Sequence, residues 1–129
     1  MNILGIDFGK KKVGVAIGDT DSKLAEPFRV LRYEDIRILS DKLKRITNEL
    51  VIEKIVIGIS EGESARKTKE FAERLERVLK IPFVYQDETL STFEAQEKSR
   101  EAGIGRKKRK AMEDAYSAAI ILQDFLDTL

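Results

Sequence analysis

The chain has 129 residues, 24 Lys and Arg against 23 Asp and Glu, a net charge of +1, and neither His nor Cys. That inventory leaves oxygen as the main metal donor, which disfavours zinc, removes Cys nucleophiles, Ser-His-Asp triads and His bases, and suits Mg²⁺ or Mn²⁺. The length is enough for one domain spanning 1–129. No apolar run approaches the roughly 18 residues of a membrane span and no signal-peptide core opens the chain, so a cytoplasmic location without a membrane partner is expected.

In chain order, Asn2–Phe8 and Val13–Asp19 form an apolar hairpin across the turn that holds Lys10, Lys11 and Lys12. A third short strand is expected near Phe28–Leu31, after Pro27. From Asp35 to Leu50 the spacing of Ile36, Leu39, Leu43, Ile46 and Leu50 predicts an amphipathic helix. Lys54–Ile59 is a β-branched run suited to a buried parallel strand. Gly58–Gly62 interrupts it, and Ser64 is the expected cap of a helix carrying Phe71, Leu75 and Val78 inward. Pro82–Gln86 makes a further strand, Ser91–Ala102 a helix, Gly103–Arg106 a loop, and Lys110 to about Asp127 a final helix. The order βββαβαβαα gives an α/β fold: one open, mixed five-stranded sheet flanked by helices.

Three acidic positions stand out against this frame. Asp7 closes the first strand, Asp87-Glu88 follows the last, and Asp114 lies in the first turns of the final helix beside Ala115, Ala118 and Ala119. Small residues there let the helix approach the sheet and carry Asp114 over the strand ends. Sites in open α/β sheets form at the carboxyl ends of strands, where Asp7 and the Asp87-Glu88 pair also fall. Carboxylates gathered there repel unless cations bridge them, and two metals roughly 4 Å apart are the usual arrangement for cleaving phosphodiesters. Asp7-Phe8-Gly9 also occurs in protein kinases, but no other kinase element accompanies it.

Charge patterning points to a polyanionic partner. Lys98–Lys110 holds seven basic residues and one acidic, ending in the unbroken run Arg106, Lys107, Lys108, Arg109 and Lys110. Lys10 and Lys12 lie next to Asp7, and Arg66 opens a helix together with Lys67 and Lys69. Such clusters bind nucleic-acid backbones by counterion release.

These residues resemble a known family. Gly5-Ile6-Asp7-Phe8-Gly9, Lys12-Val13-Gly14-Val15-Ala16, Asp87-Glu88 with Leu90-Ser91-Thr92 and Ala95, and Asp114 with Ala118-Ala119 are together similar, nearly end to end, to the YqgF/RuvX family. The resemblance implies a ribonuclease H-like fold, related to RuvC Holliday-junction resolvases, and a metal-dependent nuclease that matures the 5′ end of precursor 16S rRNA. It further implies that Asp7, Glu88 and Asp114 are catalytic and hold one or two Mg²⁺ or Mn²⁺ ions, with hydrolysis leaving 5′-phosphate and 3′-hydroxyl ends. Lys10, Lys12, Arg66 and the Arg106–Lys110 segment are the expected backbone contacts. Two positions depart from the family pattern, Lys12 and Thr89, where arginine is common; lysine keeps the charge without the bidentate fork.

Other readings predict different behaviour. A Holliday junction resolvase acting on branched DNA places two active sites on symmetric strands and should be a stable dimer. A monomer or weak homodimer suits RNA processing. A non-catalytic pre-rRNA-binding assembly factor would bind RNA without cutting it. Actin-like and sugar-kinase ATPases begin with a similar hairpin, but they need two domains that 129 residues cannot build. The apolar side of the final helix (Ile120, Ile121, Phe125, Leu126) is expected to be core, not an oligomer contact.

Overall fold

The computed structural model describes residues 1–87 and 111–129. Five strands, β1 (Asn2–Phe8), β2 (Lys12–Asp19), β3 (Leu24–Arg32), β4 (Ile52–Ile59) and β5 (Phe83–Asp87), form one sheet in the order β3-β2-β1-β4-β5. β1, β2 and β3 are antiparallel neighbours, whereas β4 and β5 run parallel to β1. Helices α1 (Ile36–Glu49), α2 (Glu63–Leu79) and α3 (Glu113–Leu126) complete the described elements.

Strand alternation divides the interior into two cores. Leu4, Ile6, Val13, Val15, Ile55 and Ile57 face α1 and α2, meeting Leu39, Leu43, Phe71 and Leu75. Ile3, Ala16 and Val56 face α3, meeting Ala118, Ile121, Leu122 and Leu126. Each fully buried Leu or Ile contributes about 1.5–3 kcal/mol by leaving water, so the first core carries most of the large aliphatic burial. The second is thinner because its strands offer small residues. A Cβ on Gly5 would lie 2.8 Å from Leu122 Cβ, and one on Gly14 would overlap the Asp114 backbone. Those two absences let α3 lie against the strands.

The expected elements appear with some altered limits. β3 begins at Leu24 and runs through Pro27, earlier than the Phe28 start expected after a proline. An edge strand tolerates that proline, and a register shift between Val15 and Ala16 sits opposite it. α1 starts where Asp35 accepts the Arg37 N–H, at 2.9 Å. Ser64 does not cap α2. Gly62 is the N-cap, at φ 77°, and Ser64 already lies inside the helix. Val78 is 41% exposed and not inward, because the buried stripe of Thr68, Phe71, Ala72 and Leu75 continues to Leu79. Ile120, Ile121 and Leu126 are core residues, as the sequence suggests. The predicted Ser91–Ala102 helix and Gly103–Arg106 loop lie outside the described residues, as does Lys110 at the expected start of the last helix. Among the described residues, no helix is long and apolar enough to cross a membrane.

Candidate active site

Asp7 and Phe8 are consecutive on β1 and so face opposite ways. Phe8 turns toward α2 and stacks on Phe71, centroids 3.9 Å apart and planes 12° apart, and the Tyr33 ring is a second neighbour, its centroid 6.3 Å from that of Phe8. Tyr33 also ties down the following turn. Its hydroxyl donates to the Gly9 carbonyl at 2.6 Å, and its backbone N–H donates to the Lys11 carbonyl at 3.0 Å. Burial pushes that hydroxyl's pKa above its ordinary value, so it stays a donor at neutral pH. Inside the turn the Gly9 N–H donates to the Lys12 carbonyl at 3.0 Å. The lysine turn is therefore held by its backbone, leaving the Lys10 and Lys11 side chains exposed.

Asp7 is on the other face. It is the cross-strand partner of Gly14, and cross-strand partners share a face. The backbone of Asp114 lies on Gly14, so the first turn of α3 is carried directly to the end of β1. An acid in that first turn is favoured by the helix dipole. Lys12, two residues before Gly14 on the same face, places its Nζ 3.1 Å from Asp114 Oδ2. Asp7, Phe8, Gly9, Lys10, Lys11, Lys12 and Asp114 border one cleft of about 360 Å³.

The structure thus brings together four of the sequence-predicted residues: Asp7, Asp114, Lys10 and Lys12. Arg66 lies apart on α2, exposed and 3.8 Å from Glu63, and is not among the residues bordering this cleft. Glu88 and Arg106, Lys107, Lys108, Arg109 and Lys110 fall outside the described residues. Asp87 can be placed. Phe83 packs in the α1/α2 core and Val84 in the α3 core, so alternation puts Asp87 on the Phe83 side, away from Asp7.

Among the described residues, no three acidic groups cluster as a metal site. The donor chemistry nevertheless suits a hard divalent cation. Two carboxylates border one partly sheltered cleft, and Asp114 already attracts an ammonium. Two features were missed in the sequence reading. The glycines that seat α3 carried a usable signal, since Gly5 and Gly14 interrupt strands where side chains would normally pack. Tyr33 carried none: nothing local marks an aromatic after β3 as the anchor of a turn 22 residues earlier, as its bond to Lys11 shows.

Comparison with known proteins agrees with this architecture. A family model described as "RuvX: Holliday junction resolvase" matches residues 1–128. A protein of Agathobacter rectalis named "Putative pre-16S rRNA nuclease" is 38% identical, over 100% of this chain and 96% of its own. Its namesake in Syntrophomonas wolfei is 35% identical, over 98% and 94%. Among solved structures, RuvC of T. thermophilus in complex with a Holliday junction substrate superposes with a TM-score of 0.64 at 14% identity, covering 99% of this chain and 94% of that one. The fowlpox virus Holliday junction resolvase does so with a TM-score of 0.64 at 12% identity, covering 99% and 98%. The superposition over nearly the whole of both chains makes this a ribonuclease H-like fold, and the chain belongs to the RuvX family.

Proposed function

We propose that this protein is a single-domain, cytoplasmic phosphodiester hydrolase that matures the 5′ end of precursor 16S rRNA. The observation that carries the reading is the meeting of Asp7 and Asp114 in one cleft walled by the lysine turn. Relatives 35% and 38% identical over nearly the whole of both chains are named "Putative pre-16S rRNA nuclease". The chain's own residues would act as follows. Asp7 and Asp114 supply carboxylate oxygens from two directions, one from a strand end and one from a helix start. Glu88 is the third carboxylate of the proposal; Asp87 is disfavoured because it lies on the opposite side of the sheet from Asp7. Mg²⁺ or Mn²⁺ held there would activate water for in-line attack and stabilise the leaving oxygen.

Lys10 and Lys11, exposed on a turn whose backbone is fixed, can meet the phosphates flanking the scissile bond without reorganising the strand end. Lys12 shields Asp114 and reduces repulsion between the two aspartates before substrate arrives. A monomer or weak homodimer fits RNA processing better than the obligate two-site geometry of a resolvase.

The test is cleavage of end-labelled precursor 16S RNA and of a four-way DNA junction, each with Mn²⁺ and with EDTA, comparing the parent with Asp7→Asn. Metal-dependent cutting of RNA, lost in the variant, is the expected result. Cutting of the junction alone would make the protein a resolvase. RNA binding without cutting would make it an assembly factor.

A further inference from the structure

Lys10 borders the active-site cleft and also a second groove on the opposite side of the lysine turn, of about 540 Å³, between α2 and the start of α1. The two depressions meet at this residue. The second groove is lined by aromatic rings: Phe8 and Tyr33 are both half-buried, and Phe71 stacks on Phe8. Its rim is basic, with Lys67, Arg74 and Arg77 at spacings of seven and three along α2, on the side of the helix that faces the groove. Glu70 and Glu73 also border it, leaving four cations against two anions.

A lining of aromatic rings beside a cationic rim is the arrangement that holds a single strand: bases rest on the rings and phosphates meet the rim. A duplex does not fit it, because paired bases cannot turn toward the rings. We propose that this groove is the exit track for a single-stranded segment of the substrate. The strand would cross the Lys10 ridge from the active site and lie along α2, its phosphates toward Lys67 at the near end and Arg74 and Arg77 at the far end. Tyr33 then has two tasks, fixing the turn through Gly9 and presenting ring surface to a base. The two glutamates fall between the basic ends, so contacts concentrate at those ends. The inference deepens the nuclease reading and rests on it: the substrate is single-stranded on one side of the cut.

The test uses Asp7→Asn, which still binds but should not cut, and the same protein with Arg74→Ala and Arg77→Ala added. Both arginines are exposed helix residues, so circular dichroism and melting should match the parent. Anisotropy is read with a labelled single-stranded RNA and with a blunt RNA duplex across a salt series. Two lost phosphate contacts should weaken single-strand binding about 5–30-fold and lower the salt slope by about 1.4, with duplex binding unchanged. Equal losses for strand and duplex would overturn the track and leave a general electrostatic face. Unchanged binding of both would overturn the track alone, with the nuclease reading intact. Failure of Asp7→Asn to bind any RNA would remove both.

Discussion

The carbonyl of Asp114 rests where the side chain of Gly14 would be, and Gly14 is the strand partner of Asp7. One missing methyl group therefore sets the separation of the two aspartates. Replacing Gly14 with Ala should lift the start of α3 from the sheet, costing about 1–3 kcal/mol and a larger fraction of cleavage than of RNA binding. Urea melts and single-turnover cleavage check this. Parent-like stability and rate would show that the helix tolerates the extra carbon.

Asp7→Asn removes one carboxylate charge and keeps the shape. Cleavage should fall by more than about 10²-fold, the upper range for losing a mere supporting group around a metal ligand, with RNA affinity close to the parent's. Full activity in Asp7→Asn would refute the site assignment.

Lys12 and Asp114 form a half-exposed pair, so its contribution to stability is small, about 0–1 kcal/mol. Its importance is competition for Asp114. Lys12→Gln should tighten Mn²⁺ binding in titration calorimetry, because the ammonium no longer screens Asp114, while cleavage slows. Unchanged Mn²⁺ affinity would place the cation away from Asp114.

Tyr33→Phe keeps the ring and deletes the bond to Gly9. Stability should drop by about 1 kcal/mol. Burial raises the pKa of this hydroxyl in the folded protein above the ordinary 10.0. The folded state thus holds the proton longer than the unfolded chain, and the raised pKa favours folding fully below about pH 10. That advantage is lost as pH climbs through the folded value. The stability gap between the parent and Tyr33→Phe should be constant from neutral pH to about 9 and narrow above 10; a gap insensitive to alkaline pH would mean the hydroxyl is not sheltered.

Val51, just past the Leu50 C-cap of α1, has φ at 52°, a left-handed conformation that a β-branched residue resists, and it is 65% exposed. Nothing is gained there by its side chain. Val51→Asn should stabilise the protein by about 1 kcal/mol without touching activity. A loss of stability would show that the valine packs in a way its exposure conceals.

Much of this was legible from residue order. β1 came out residue for residue, because a short apolar run is ended by an acidic residue and a lysine turn. Asp7 and Asp114 were legible as partners because alanines at 115, 118 and 119 implied a helix close to the sheet. Illegible features depended on contacts between distant segments. The span of β3 depended on pairing with β2, since proline locally argues for a break. The start of α2 depended on the backbone at Gly62, which outweighed the side-chain propensity of Ser64. Nothing in the α2 segment marks Arg74 and Arg77, which border one groove with Phe8 and Tyr33 only through the fold.

Because Asp7 and Phe8 face opposite sides, β1 has only one tolerable alignment. A slip of one residue would drive the carboxylate into the ring stack of Phe71 and Tyr33 and push a phenyl group beneath α3, where Gly14 leaves room for no side chain. The surroundings of β1 thus disfavour misaligned hairpins, and the aligned register is the one that turns Asp7 toward the start of α3.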